Sequence, residues 1–168
     1  GRNPLGRLAD KAAELRRLAG WLRPGGCLSL AETVARHAQR LYDLVDLSRL
    51  GGDLAQRLRD AEEAIYAGGG DPVVNWEAAG MERLLAEAGF EGVTAETEAQ
   101  TSDLLVTAAA LDRWFALDAG VEADRPSYAQ RLLRDGLIAP EELTAIRAEF
   151  QRQLAGQAVP WRTETAFL

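Results

Sequence analysis

The chain has 168 residues, of which 47% are hydrophobic and 27% charged, a composition typical of one globular domain with a real core. No apolar run is long enough to cross a bilayer, and a single cysteine, Cys27, excludes an intrachain disulfide and a multi-cysteine zinc site. The formal net charge of −7 argues against nucleic-acid binding through this domain, because a phosphate-binding surface needs clustered cations.

The first elements are a helix and a short strand. Apolar residues at steps of three and four predict a helix over residues 5–22, which Arg23-Pro24 ends. After the Gly25-Gly26 turn, the apolar run at 27–31 predicts a buried strand that ends in Glu32. Cys27 lies inside this run, so we expect an inert core thiol. Because a single cysteine allows no intrachain disulfide, we expect a reducing, cytoplasmic compartment.

Helical spacing returns twice before the next strand. It predicts helices over residues 34–45 and 54–65, separated by Gly51-Gly52. A loop over 67–75 leads to a third helix, which Asn75 is expected to cap and Gly89 to end. Alternation of apolar and polar residues then predicts a half-buried strand over 91–98.

The C-terminal part combines helices with an alternating tail. Helices are predicted over 107–115, 127–135 and 140–154, with a loop over 118–126. In the tail, alternate residues are expected to share one face of a strand, and its paired part to begin after Pro160, which lacks an N–H. These alternate residues are Val159, Trp161, Thr163, Thr165 and Phe167.

Two segments resemble the class I S-adenosylmethionine-dependent methyltransferases. Leu22-Arg23-Pro24-Gly25-Gly26 followed by CLSLAE resembles the fifth strand of that family with its leader, and residues 76–93 resemble the helix before the sixth. The tail resembles the seventh, antiparallel strand. The resemblance implies one Rossmann-like α/β domain over 1–168, with many helices and a helical insertion at 107–156. It also implies a small mixed sheet of three strands, with the C-terminal strand antiparallel in the middle.

The resemblance covers only the substrate-side half of such an enzyme. The family places its cofactor on a glycine-rich loop after the first strand, and this sequence has neither that strand nor that loop. The resemblance therefore implies S-adenosylmethionine as cofactor of an intact protein and none for this fragment alone. The strand at 27–32 would have one unpaired edge, so we expect self-association or coverage by a helix of this chain or a neighbour, the remainder of a parent chain included.

A second resemblance leaves an alternative open. The Trp114-Phe115 helix, the Ser127-Tyr128 helix and the strand with Trp161 resemble methyltransferase-like domains fused behind AAA+ recombination-associated ATPases. That resemblance implies a non-catalytic interaction or scaffold module of a larger protein. The two resemblances thus imply two alternatives: a methyltransferase that is active only as part of a complete chain, or a module without enzymatic activity.

Five residues after the first strand are the candidates for a substrate-facing lid. Glu32 ends that strand, and the only histidine, His37, is the one candidate for a general base. The alternative for Glu32 and His37 is a structural role. The other three candidates are Arg36, Arg40 and Tyr42, and their alternative is a position on a solvent-exposed helix face. Adjacent acids such as Glu62-Glu63 diverge around a helix, so no metal site is predicted.

Overall fold

The computed structural model describes residues 1–67, 70–118 and 126–168. The helices in these ranges are α1 (Lys11–Trp21), α2 (Gly52–Ala67), α3 (Ala78–Glu87), α4 (Ala108–Trp114), α5 (Tyr128–Leu132) and α6 (Glu142–Leu154). The strands are β1 (Ala31–Thr33), β2 (Glu96–Leu105) and β3 (Ala158–Phe167). None of the described helices has the length and apolarity that a membrane span requires. The predicted loops at 67–75 and 118–126 fall partly outside the described residues.

The strands form one small sheet with β3 in the middle. Their order is β1-β3-β2 and hydrogen-bonded neighbours are antiparallel. Ala31 lies opposite Phe167, and Thr33 lies opposite Thr165. The predicted central, antiparallel position of the C-terminal strand is therefore confirmed. The coarse class, a mixed α/β chain with several helices, is confirmed as well.

Both flanking strands begin later than predicted, β1 at Ala31 and β2 at Glu96. Leu30 and Leu168 exchange backbone hydrogen bonds of 2.9 and 3.0 Å, so β3 reaches back only as far as Leu30. Residues before this pair lie outside the ladder, and Cys27 is exposed. The expectation that Cys27 lies buried in the core is therefore wrong, and its expected inertness stays a prediction.

The outer edge of β1 is covered by the first residues of the same chain. Arg2 forms a parallel bridge with Ala31. The N–H of Asn3 donates to the Ala31 carbonyl, and the Ala31 N–H donates to the Gly1 carbonyl, both at 2.8 Å. The expected covering element was a helix or a neighbouring chain, whereas an extended segment takes that place. Parallel neighbours need a crossover connection, usually a helix, and α1 supplies it between these two segments.

The chain divides into two compact units. The first comprises Gly1–Ala38, Tyr66–Thr101 and Arg162–Leu168, and the second comprises Gln39–Ile65 and Ser102–Trp161. Helices α4, α5 and α6, which lie in the predicted insertion at 107–156, belong to the second unit. The single domain expected over residues 1–168 stays a prediction.

The core of the first unit forms where α1 packs against α3. Lys11 is a buried charged residue of this unit, and its ammonium donates to the carbonyls of Leu8 at 3.0 Å and Pro72 at 2.6 Å. Burial lowers the pKa of Lys11, and the two carbonyls supply the partners that a buried ammonium needs. The buried apolar residues of this core are Leu5, Leu15, Leu30, Val34, Trp76, Met81, Leu85 and Ala166.

The second unit is built around the apolar stripe of α6. Three rings meet there: the Phe115 ring lies 5.4 Å from that of Phe150 and 5.8 Å from that of Tyr128, both edge-on. The predicted stripe of α6 is confirmed, since Leu143, Ile146, Phe150 and Leu154 are all buried. The unit also contains a guanidinium bridge, in which Arg57 of α2 donates to both carboxylate oxygens of Glu142 at 2.8 and 2.5 Å.

The helix predicted over 34–45 is wrong. The segment forms short 3₁₀ turns at Ala35–His37 and Leu41–Leu44 instead. The N–H groups of Leu41 and Tyr42, which a helix would bond internally, donate to the carboxylate of Glu62 on α2. These hydrogen bonds to a distant side chain replace the helical ones and hold the segment in its turns.

The tail departs from the predicted single buried face. Val159 is buried, but Phe167 on the same side is 45% exposed, and Ala166 from the opposite side is buried. The reason is that the core contacts change along β3: Val159 belongs to the second unit and Ala166 to the first. Strand β3 also begins at Ala158, before Pro160, so the predicted start at Trp161 is wrong.

Candidate functional site

Three of the five predicted lid residues lie in the first unit, at the carboxyl end of β1. Glu32 belongs to β1, and Arg36 and His37 belong to the 3₁₀ turn directly after it. In open α/β sheets, ligands bind beyond the carboxyl ends of the parallel strands. In the described sheet the hydrogen-bonded strands are antiparallel, and the pairing of Arg2 with Ala31 is an isolated parallel bridge beside β1.

Glu32 is fully buried and holds the loop before α1. Its Oε1 accepts a hydrogen bond from the N–H of Leu5 at 2.9 Å, and its Oε2 accepts one from the N–H of Gly6 at 3.0 Å. A side chain at position 6 would place its Cβ 3.4 Å from that Oε2, which is an ordinary van der Waals distance. Because both oxygens serve backbone donors, Glu32 has a structural contact here rather than a free oxygen for a ligand.

A polar atom without a partner lies beside this carboxylate. Trp76 is only 6% exposed, and within the described residues its indole Nε1 has no hydrogen-bond partner. The Cβ position of a side chain at Gly6 would lie 4.0 Å from Nε1 and 3.4 Å from Glu32 Oε2. A buried, unpaired N–H raises the free energy of the folded state.

His37 and Arg36 each contact an acidic side chain on the surface of the first unit. His37 Nδ1 lies 2.8 Å from Oε1 of Glu164 on β3, with the imidazole side chain 44% exposed. Arg36 Nη1 lies 2.5 Å from Oε1 of Glu77, directly before α3. A carboxylate on Nδ1 orients an imidazole so that Nε2 faces outward, the arrangement of a positioned acid or base.

The other two predicted residues, Arg40 and Tyr42, converge on Glu63 in the second unit. Arg40 Nε lies 2.8 Å from Glu63 Oε1, and the Tyr42 hydroxyl donates to the same oxygen at 2.7 Å. The hydrogen bond from Arg40 lowers the pKa of Glu63. Burial, followed by the hydrogen bond to Glu63, raises the pKa of Tyr42 to about 12. Tyr42 is therefore a hydrogen-bond donor at neutral pH.

Beside this pair, Glu62 is fully buried and was missed as a site residue. Its carboxylate accepts from the N–H groups of Leu41 at 2.5 Å and Tyr42 at 3.1 Å, and from the Tyr128 hydroxyl at 2.6 Å. Burial raises the pKa of Glu62, and the three donors oppose that rise. The predicted divergence of Glu62 and Glu63 is visible, since one points into the core and the other to the surface. The sequence feature that could have identified Glu62 is its position one helical turn after Leu58, on the buried face of α2.

The five predicted residues thus fall into two groups rather than onto one helix. Glu32, Arg36 and His37 belong to the first unit, while Arg40 and Tyr42 belong to the second. Each has at least one polar side-chain atom bonded to another residue of the chain, as described above. Among the residues that the structure describes, no group of three or more His, Cys, Asp or Glu side chains is arranged to hold a metal ion.

A scan of protein-family models and searches of the curated proteins and of the solved structures found nothing that matches this chain.

Proposed function

We propose that this chain is the C-terminal, substrate-side part of a class I S-adenosylmethionine-dependent methyltransferase and is inactive alone. The observation that supports the proposal best is the arrangement of β1 and its neighbours. A parallel segment, α1 and β1 follow one another, and the C-terminal strand lies antiparallel between β1 and β2. The sequence resemblance implies this order, in which the last strand separates the fifth from the sixth.

The described residues do not fit S-adenosylmethionine by themselves. The acid at the carboxyl end of β1, Glu32, has both oxygens bonded to backbone N–H groups. The large cavity of the first unit is lined by residues 22–28 and 89–94, which precede β1 and β2 and so lie at the opposite ends of these strands. A cofactor with adenosyl and amino-acid groups needs convergent polar partners in a preformed crevice. We therefore derive no catalytic step through the cofactor.

Calorimetric titration of S-adenosylmethionine tests the proposal. We expect no measurable heat with the 168-residue chain, and saturable binding to a product that includes a strand with a glycine-rich loop preceding residue 1. Binding of the cofactor to the 168-residue chain at micromolar affinity would contradict the assignment of its site to another segment. An encoded product without such a strand and loop would contradict the enzyme proposal itself.

The alternative is a non-catalytic interaction module of a larger, AAA+ ATPase-type protein. The observation in its favour is that the candidate side chains are tied to acids of the same chain, as in the pairs Arg36–Glu77, His37–Glu164 and Arg40–Glu63. A substrate-facing lid needs polar groups directed to a ligand. Methyl transfer by the larger product, lost upon His37→Ala but not upon Arg113→Ala in α4, would exclude this alternative.

A further inference from the structure

A short segment of the first unit, residues 71–76, forms a turn of its own directly before α3. The carbonyl of Asp71 accepts hydrogen bonds from the N–H groups of Val74 at 3.1 Å and Asn75 at 3.0 Å. Its Oδ1 accepts one from the N–H of Val73 at 3.0 Å. These three hydrogen bonds are internal to the segment, which we call the strap, so they can persist when it moves away from the rest of the unit.

The strap is attached to the first unit by apolar side chains and by an ammonium. Val74 is 2% exposed, and Trp76 belongs to the buried core of this unit. The ammonium of Lys11, the first residue of α1, donates to the Pro72 carbonyl at 2.6 Å and to Asn75 Oδ1 at 3.4 Å. The closed strap therefore covers the start of α1.

Two polar groups at the strap are less favourable in the closed fold than in water. Burial lowers the pKa of Lys11, although the charges of Glu32 and Asp71 act in the opposite direction. A lowered pKa means that the closed strap disfavours the ammonium relative to an open, hydrated state. Within the described residues the indole Nε1 of Trp76 has no hydrogen-bond partner, and water supplies one when the ring is exposed. Opening relieves both costs and so offsets part of the apolar contacts that are lost.

Two charged side chains become accessible when the strap moves. The Cβ position of a side chain at Gly6 would lie 3.4 Å from Glu32 Oε2 and 4.0 Å from Trp76 Nε1, so the indole lies beside this buried carboxylate. Departure of the indole therefore opens a path to Glu32, at the carboxyl end of β1. Departure of Pro72 uncovers Lys11, which is the only lysine in the sequence.

We propose that the strap opens as a local unit while the rest of the first unit stays folded, and that its open state exposes Lys11 and the Glu32 carboxylate. A segment with internal hydrogen bonds and few attachments opens at a lower free energy than the unit as a whole. The closed strap excludes solvent from both side chains, and the open strap makes the amine available to an acylating reagent. This proposal does not depend on the proposed methyltransferase function.

Acetylation of the only lysine measures the opening directly. The chain is treated with N-hydroxysuccinimidyl acetate at one fixed pH, and mass spectrometry of the peptide that contains residue 11 separates this amine from that of Gly1. We expect acetylation to be slower in the native chain than in concentrated urea by a factor of about 10–1,000. The native rate should hardly change with urea below the unfolding transition, because a local opening exposes little surface. A native rate equal to that of the unfolded chain, or one that rises with urea in parallel with the unfolded population, would overturn the proposal.

A matched pair of variants separates local from global opening. Val74 lies in the strap and Val34 directly after β1, and both are buried valines of the first unit. Val74→Ala should accelerate native acetylation of Lys11 at least about fivefold, because the lost contacts hold the strap closed. Val34→Ala should change the rate less than about twofold, since local opening leaves the unit folded. Equal acceleration by both variants, or none in a folded Val74→Ala chain, would contradict the strap. If Val74→Ala does not fold, the urea dependence of the unaltered chain decides the question.

Discussion

Replacing Glu62 by alanine should unfold the second unit far more readily than the same replacement at Glu63. Glu62→Ala leaves the buried N–H of Leu41 and the partly buried N–H of Tyr42 without their acceptor, and the Tyr128 hydroxyl loses this acceptor as well. Each orphaned backbone donor costs about 1–3 kcal/mol, or roughly 4 kcal/mol for the two N–H groups alone. The variant no longer has to bury a carboxylate, and this gain offsets part of the cost. The net loss in the free energy of unfolding is about 3 kcal/mol. Glu63→Ala removes a largely exposed ion pair with Arg40, worth about 0–1 kcal/mol.

The assay is urea unfolding followed by circular dichroism and by tryptophan fluorescence, since Trp114 and Trp161 belong to the second unit. In thermal unfolding followed by the same two signals, a loss of about 3 kcal/mol corresponds to a decrease in Tm of roughly 6–12 °C for a chain of this size. Equal losses for Glu62→Ala and Glu63→Ala would refute the assignment of the segment 41–44 to the buried carboxylate.

The destabilisation caused by Glu62→Ala should also change with pH in a definite direction. Burial raises the pKa of Glu62 above the ordinary value of 4.5. The resulting contribution to stability is fully present below about pH 4.5 and is lost as the pH rises through the raised folded-state pKa. The difference in unfolding free energy between the unaltered chain and Glu62→Ala should therefore be larger in acid than at neutral pH. A difference that shrinks in acid would show that the pKa of Glu62 is lowered instead.

Three further outcomes are expected. Arg57 lowers the pKa of Glu142 to about 2. Arg57→Ala should therefore lower the free energy of unfolding fully above about pH 4.5, and this loss should disappear as the pH falls toward 2. Arg59→Ala, at an exposed position, is the matched control in urea titrations at each pH. Equal pH profiles of stability for the two variants would contradict the bridge between Arg57 and Glu142. Cys27 should react with Ellman's reagent in the native chain at more than about a tenth of its rate in urea, whereas a buried thiol would need unfolding. Trp76→Phe should change stability by less than about 1 kcal/mol, because it also removes an unpaired buried N–H, and a loss above about 2 kcal/mol would mean that the indole has a partner.

Elements with a regular apolar stripe could be predicted from the sequence. The stripe of α6 and the spacing of Leu58 and Ile65 in α2 identified both helices, because each buries one face against its own unit. The position of the C-terminal strand followed from the family resemblance. Helix ends were less accurate, and α1 begins at Lys11 rather than near residue 5, because Leu5 and Gly6 donate to Glu32.

The sites depended on contacts between residues far apart in the sequence, and no local pattern encodes these. The segment 34–45 has helical spacing, yet Glu62 takes the N–H groups that a helix would use. The role of Glu32 depends on donors 26 and 27 residues away. The partner of His37, Glu164, is 127 residues away on the last strand. Side chains with such partners are identified only after the fold has brought them together.

The discontinuity of the first unit has a consequence for synthesis on the ribosome. Its middle strand is contributed by Arg162–Leu168, which a ribosome makes after every other residue of that unit. Until then β1 lacks its β3 partner, and Ala166 is missing from the core that Leu15 and Met81 complete. Domains generally fold as units, and long-range strand pairing is slow. The first unit therefore folds after translation of this segment, whereas α2 and the turns at 41–44 have their mutual contacts as soon as residue 63 leaves the exit tunnel.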